Sequence, residues 1–174
     1  MAEKTLVGIV MGSTSDWDTM KEAAQVCKDF GVSYEARALS AHRTPHRMVE
    51  WGRSAEARGL RVVIAGAGGS AHLPGMLAVE TNLPVLAVAV ETSPDPLSSA
   101  LGSMVRMPEG APLATMGKNQ AAAWNAGLLA VRILALGDER LRQAYAGHVA
   151  GTAARVEAED ARLVELGVDG YEPG

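Results

Sequence analysis

The chain of 174 residues is 48% hydrophobic and carries a formal charge of −4 at pH 7, which fits one domain around one sizeable core and lacks the basic stripe of a nucleic-acid binder. Its single cysteine, Cys27, excludes an internal disulfide and argues against a thiolate zinc site. No apolar run is long enough to span a membrane, and "MAEKTLVG" lacks the h-region of a signal peptide, so a soluble, cytoplasmic protein is expected.

In chain order, the first apolar run is "TLVGIVM" (5–11), followed by an amphipathic stretch over 16–30 with Trp17, Met20, Ala24, Cys27 and Phe30 at helical spacing. Gly31 stands where a helix C′ glycine is expected. A second run, "SYEARALS" (33–40), precedes a helix over 45–58, with Thr44 as N-cap and Pro45 at N1. Runs three and four, "RVVIAGA" (61–67) and "PVLAVAV" (84–90), are nearly continuous apolar residues, as is the first. That is the pattern of strands buried on both faces. "SMVRMP" (103–108) reads as a fifth strand, and 119–136 as an Ala/Leu-rich helix ending at Gly137. Alternation of strands and helices implies a parallel sheet in a doubly wound three-layer α/β sandwich. From Asp138 to Leu166 a near-heptad stripe of Leu141, Tyr145, Val149, Thr152, Val156, Leu163 and Leu166 predicts one long helix. Either it folds back over its own sheet or it docks on another subunit, and its length favours docking.

Ligands of such folds sit outside the carboxyl ends of the strands, and three of those ends carry unusual chemistry. After the first strand, "MGSTSDWD" offers hydroxyls and free N–H groups suited to an anion. Ser15 with Asp18 reads equally as a plain helix cap. Asp16 would repel phosphate and suits ribose hydroxyls better. After the second strand, "SAHRTP" carries Arg43, a phosphate clamp, Ser40, a donor, and His42, which is either structural or an acid/base near neutral pH. His46 and His148 read as surface residues.

After the third strand comes "IAGAGGSAHLPGM" (64–76), in which Gly66, Gly68 and Ala71 satisfy a dinucleotide fingerprint. The context is wrong, because the fingerprint belongs after the first strand of its unit. Gly66, Gly68 and Gly69 read better as backbone pressed against a flat ring, or as purely structural glycines. His72 caps that slot and Pro74 begins the next helix.

"VMGSTSDW", "SAHRTP" and "AGAGGSAHLPGM", in this order and at this spacing, closely resemble the class I PurE family of purine biosynthesis, from about residue 6 to residue 136. "PVLAVAV", "SMVRMPEGAPLAT" and "NAGLLAVRIL" extend the match. The related class II carboxylases, which use CO2 directly, carry Lys in place of Arg43 and lack the glycine loop, so the chain looks like class I. The resemblance implies a single flavodoxin-like domain over 1–174, a five-stranded sheet of order 2-1-3-4-5, and a homo-octamer in which 137–174 makes contacts. It also implies no metal and no organic cofactor.

The implied partner is a small-molecule aminoimidazole ribonucleotide, and the implied activity is a mutase. Its carboxylate moves from the exocyclic nitrogen to C4 through released and recaptured CO2. Carried over by motif, Ser13, Ser40 and Arg43 would hold the 5′-phosphate and Asp16 the ribose. Ala41, Ala67, Gly68 and Gly69, with Ser15, would frame the imidazole and carboxylate. His42 would be the acid/base, and His72 would help hold the base and carboxylate. Departures from the family pattern fall at Ala87 and Ala89, at Leu97 and Ser99, at Lys118 to Gln120, and at Trp124. They leave open a paralogue acting on a related aminoimidazole, beside a direct carboxylase.

Overall fold

A computed structural model of the chain describes residues 5–90, 100–167 and 170. The chain divides into two compact units, Met1–Leu134 and Ala135–Gly174. The first is an all-parallel five-stranded sheet of order β2-β1-β3-β4-β5, with β1 at Val7–Met11, β2 at Tyr34–Ala38, β3 at Val62–Ala67, β4 at Val85–Ala89 and β5 at Ala114–Lys118. Among its described residues this unit has five α-helices: α1 (Trp17–Asp29), α2 (Pro45–Ala55), α3 (His72–Glu80), α4 (Ala100–Met104) and α5 (Asn119–Leu134).

Every residue of β1, β3 and β4 is buried, as their unbroken apolar runs require. Edge strand β2 is half-buried at Tyr34 and Glu35 and exposed from Ala36 to Ala38, which is why its sequence reads as polar alternation. Register places Met11 beside Ala38 and beside Gly66. The carboxyl ends of the three strands therefore stop side by side.

Two close approaches are built on glycine. A Cβ on Gly8 in β1 would meet the Trp51 ring and the Leu60 methyl at 2.6 Å, so Gly8 is what lets α2 lie flat on the sheet. On the opposite face a Cβ on Gly127 of α5 would stand 2.7 Å from Val26 Cβ of α1. At the end of α1, Gly31 has a φ of 61°, the left-handed conformation expected of a C′ glycine. Trp17, assigned to the apolar face of this helix by spacing, is 39% exposed, because it opens the helix at the rim rather than over the sheet.

The expected strand at 103–108 is not one. Residues 100–104 form α4, and the fifth strand lies further on, at 114–118. Pro108, Gly110 and Pro112 separate the two. β5 is a partly exposed edge strand, its ends open and its middle half-buried, so it carries little apolar signal, whereas Met104 is buried as one face of a short helix. Gly117 and Asn119, at the β5–α5 junction, both take positive φ, 98° and 60°. Glycine and asparagine tolerate that backbone best, which accounts for Gly117 and Asn119 within "GKNQ"; nothing in the structure explains Lys118 or Gln120. Of the family departures, Leu97 and Ser99 lie outside the described residues.

The second unit contains α6, Glu139–Leu166, 28 residues and about 42 Å long. The Asp138 carboxylate accepts the Leu141 N–H at 3.1 Å as its N-cap. Leu141 is buried, while Val149, Val156 and Leu166 are 52%, 57% and 45% exposed. Among the described residues no helix is long and apolar enough to cross a membrane.

Candidate functional site

Three strand-end loops close on one cleft of about 530 Å³, lined by residues from Gly12 to Leu73. The loop after β1 supplies Ser13 and Asp16, the loop after β2 supplies Ser40, Ala41, His42 and Arg43, and the loop after β3 supplies Ala67, Gly68, Gly69 and His72. Thus ten of the eleven expected site residues line one cleft. The lining also includes Gly12, from the anion-suited loop read in the sequence, and Ser70 and Leu73, which sequence reasoning left out. Their signal was position alone, each being a neighbour of a chemically active residue.

Ser15 is the exception, lying outside the lining. A short 3-10 turn, Thr14–Asp16, precedes α1, and its N-cap is Ser13 rather than Ser15. The Ser13 hydroxyl oxygen accepts the Ser15 N–H at 3.3 Å. Asp16 Oδ2 accepts the Ser13 N–H at 3.2 Å, completing a reciprocal capping box. The Ser15 hydroxyl is turned onto Asp16 Oδ1. Asp18, expected as the partner of Ser15, instead pairs with Lys21 at 2.9 Å. The carboxylate of Asp16 is thereby fixed by two donors and remains on the cleft wall. The proton of the Ser13 hydroxyl is left to be given to a ligand.

Arg43 is held in place before any ligand arrives. Its Nη2 donates to the Gly12 carbonyl at 3.1 Å and its Nε to Ser40 Oγ at 3.4 Å. The same Ser40 oxygen accepts the Arg43 N–H at 3.1 Å. These bonds tie the loop after β2 to the loop after β1 and leave further guanidinium N–H groups for an anion. Thr44 sits at the N-cap of α2, but its hydroxyl makes no cap bond. It turns back to Ser40, accepting the Ser40 N–H at 3.0 Å and donating to the Ser40 carbonyl at 3.2 Å. Ser40 is clamped at both backbone groups and at its hydroxyl.

His42 and His72 meet across the cleft. His42 Nε2 lies 2.6 Å from His72 Nδ1, with the rings edge to face, 4.7 Å between centroids. At this distance a hydrogen bond between the two rings requires one nitrogen to donate and the other to accept, whichever tautomers the pair adopts. Both rings are exposed to the cleft, where a ligand can reach them.

The glycines divide into two kinds. Gly66 lies inside β3, paired with Met11 and Val88, and a Cβ there would strike the Met20 sulfur at 2.5 Å. Its role is core packing, not the ring slot expected from the sequence. Gly68 and Gly69 do face the cleft. A Cβ on Gly68 would approach the Val90 carbonyl at 3.2 Å, and one on Gly69 would meet nothing within 4 Å. Gly66 thus belongs to the strand, so the fingerprint glycines do not form the turn a dinucleotide pyrophosphate needs. Among the described residues no group of three or more His, Cys, Asp or Glu side chains could hold a metal ion.

A flavodoxin-type sheet that gathers an arginine with serines, an imidazole pair and glycine backbone at the carboxyl edge of its strands has the layout of a small-molecule enzyme of the α/β class. The chain belongs to the AIR carboxylase family, whose model matches residues 6–154. It is 53% identical over 135 residues to the N5-carboxyaminoimidazole ribonucleotide mutase of Vibrio vulnificus, covering 78% of this chain and 84% of that one. It is 45% identical over 170 residues to the mutase of the same name from Pyrococcus horikoshii, covering 98% and 95%. The crystal structure of Treponema denticola PurE superposes with a TM-score of 0.80 at 30% identity, covering 91% of this chain and 98% of that chain.

Proposed function

We propose that the protein is an N5-carboxyaminoimidazole ribonucleotide mutase of purine biosynthesis, an isomerase that moves a carboxylate from the exocyclic nitrogen of its substrate to ring carbon C4. The observation that carries this reading is the 2.6 Å contact of His42 with His72, set between the Arg43 clamp and the Gly68–Gly69 wall. In this arrangement Arg43, Ser40 and Ser13 hold the 5′-phosphate and Asp16 accepts from the ribose hydroxyls. The imidazole ring lies along Ala41, Ala67, Gly68 and Gly69.

The chemistry follows from the substrate. Protonation of the carbamate nitrogen by the imidazole pair breaks its N–C bond and frees CO2. The released aminoimidazole is an enamine, and its C4 attacks the trapped CO2. A tetrahedral C4 then gives up its proton to the histidine that lost one, restoring the ring and the enzyme together. The protein contributes position and exclusion of water, so that the CO2 is recaptured before it escapes. His42 is the proton-transferring group and His72 holds it and the carboxylate.

The substrate reading is supported by where those family departures fall that lie within the described residues. Ala87 and Ala89 are buried core residues of β4, and Lys118 to Gln120 lie at the β5–α5 junction. None lines the cleft. We place the enzyme in the cytoplasm and read it as a homo-oligomer, the octamer that the family resemblance implies, with α6 as a contact element. The deciding assay supplies purified protein with the N-carboxylated ribonucleotide and, separately, with aminoimidazole ribonucleotide and bicarbonate. Formation of the C4 carboxylate from the first at enzymatic rates is expected. Turnover from the second alone would replace the mutase with a direct carboxylase.

A further inference from the structure

Helix α3 begins with His72, yet nothing in its own sequence caps it. The N-cap residue is Ala71, which has no side-chain acceptor, and Pro74 in the first turn has no N–H to give. The start of α3 is held instead from a segment more than thirty residues away. The Ala71 N–H donates to Ser103 Oγ at 2.7 Å, and the Ser103 hydroxyl donates to the Ala100 carbonyl at 2.8 Å. With its proton committed within α4, the serine oxygen presents a directed lone pair to Ala71. Ala71 in turn packs with Ala67, Ala100 and Met104 in one buried cluster. Its carbonyl receives the Gly75 N–H at 2.8 Å, and Met107 lies against Gly75, 2.9 Å from where a Cβ would stand.

We propose that Ser103 is a positioning residue for the His42–His72 pair. It sits outside the cleft and touches no reacting atom. By fixing the Ala71 N–H it sets where α3 starts, and hence where the His72 ring meets His42. The phosphate clamp is built on a different loop, so loosening Ser103 misplaces the proton-transfer end of the cleft while leaving the anion end intact. This inference rests on the mutase reading for its kinetic consequence, though not for its geometry.

The experiment compares Ser103→Ala and Ser103→Thr with the wild type, in the full-length protein. Measured are kcat, KM, melting temperature, hydrogen exchange of the Ala71 amide and the ring 15N shifts of His72. Ser103→Ala is expected to lower kcat on the order of 10- to 100-fold, the scale of a displacement of about 1 Å, with a much smaller change in KM. Exchange at Ala71 should accelerate and the His72 shifts should move. Ser103→Thr, which keeps the hydroxyl, should restore most of the rate. If the Ala variant fails to fold, Ser103→Cys, nearly the same size but a weak acceptor, carries the same comparison. An Ala variant as fast as wild type, a fall in rate that only follows loss of folded protein, or a Thr variant as slow as Ala would overturn the proposal. If the wild type itself lacks mutase activity, the functional reading falls, and the Ala71 exchange and His72 shifts alone decide the role of Ser103. Unchanged values there refute it.

Discussion

His42 and His72 come from two different loops, one entering α2 and one opening α3, and their nitrogens meet at 2.6 Å. Local bonds among Ser40, Arg43 and Thr44 shape the loop that bears His42, but nothing local brings it to His72. The contact exists because β1 carries β2 on one side and β3 on the other, in a register that ends all three strands together.

Replacing His42 with Asn keeps a polar side chain but removes the group that can carry a proton through the reaction. Turnover is expected to fall by ~10²–10⁴-fold, with ligand affinity and melting temperature nearly unchanged. Steady-state kinetics beside an equilibrium titration checks this. A variant retaining more than about a tenth of the wild-type rate would remove His42 from the acid/base role.

Arg43→Ala should act on binding. A charge-assisted bond from its guanidinium to a phosphate would contribute on the order of 1.5–3 kcal/mol. Titration with the nucleotide and with its nucleoside separates the cases. Affinity should drop for the nucleotide alone, and an equal loss for both would show that Arg43 holds something other than phosphate.

Two kinds of helical glycine should respond in opposite directions. In α5, Gly127→Ala would gain about 0.5–1 kcal/mol of helix preference but would drive a Cβ to 2.7 Å from the branched Val26 Cβ. Overpacking of a rigid contact costs about 1–3 kcal/mol, so a net loss in urea denaturation is expected. In α6, Gly147→Ala and Gly151→Ala meet nothing within 4 Å, so each should gain the helix preference. A loss at either would identify that glycine as a point of subunit contact.

Burial pushes the Cys27 thiol up to about 12. In the unfolded chain a thiol titrates near ~8.5. The native state keeps its proton longer, so the stability Cys27 contributes is complete below about pH 8.5 and is lost as pH climbs towards 12. Melting temperature should therefore fall more steeply above pH 8.5 in the wild type than in Cys27→Ala. Parallel curves would show that Cys27 ionises as freely in the native state as in the unfolded one.

Removal of residues 138–174 takes away α6 with its exposed Val149, Val156 and Leu166. The expected result is a smaller particle by light scattering, with reduced activity in the same sample. Equal mass and full activity in the truncated form would leave α6 as an appendage without a role in assembly.

Where burial dictated the sequence, the sequence was readable. β1, β3 and β4 are covered on both faces, so only apolar residues fit, and their runs stand out. β5 was not readable, because an edge strand with exposed ends needs no apolar run, while the face of α4 mimicked one. At the site, residue type singled out Ser40, His42, Arg43 and His72, and all four line the cleft. Spacing could not tell whether a serine turns to the ligand or to its own backbone, and so Ser15 was expected where Ser13 makes the cap. Gly66 misled for a related reason: a missing side chain marks close approach, and here the approaching group is Met20. Ser103 left no local signal, since its partner at Ala71 is brought near only by the finished sheet.

Among the described residues the cleft lining lies between Gly12 and Leu73, and this has a consequence for synthesis on the ribosome. A nascent chain possesses every group assigned to the reaction while residues 74–174 are still to come. It does not yet possess Val90, whose N–H holds the Ala67 carbonyl at 2.9 Å, nor Ser103 behind Ala71, nor the α5 face that covers Val26. The chemical groups are made first and their supports last. A half-made chain therefore holds the histidines without the fixed distance between them, and the site becomes competent only late in translation.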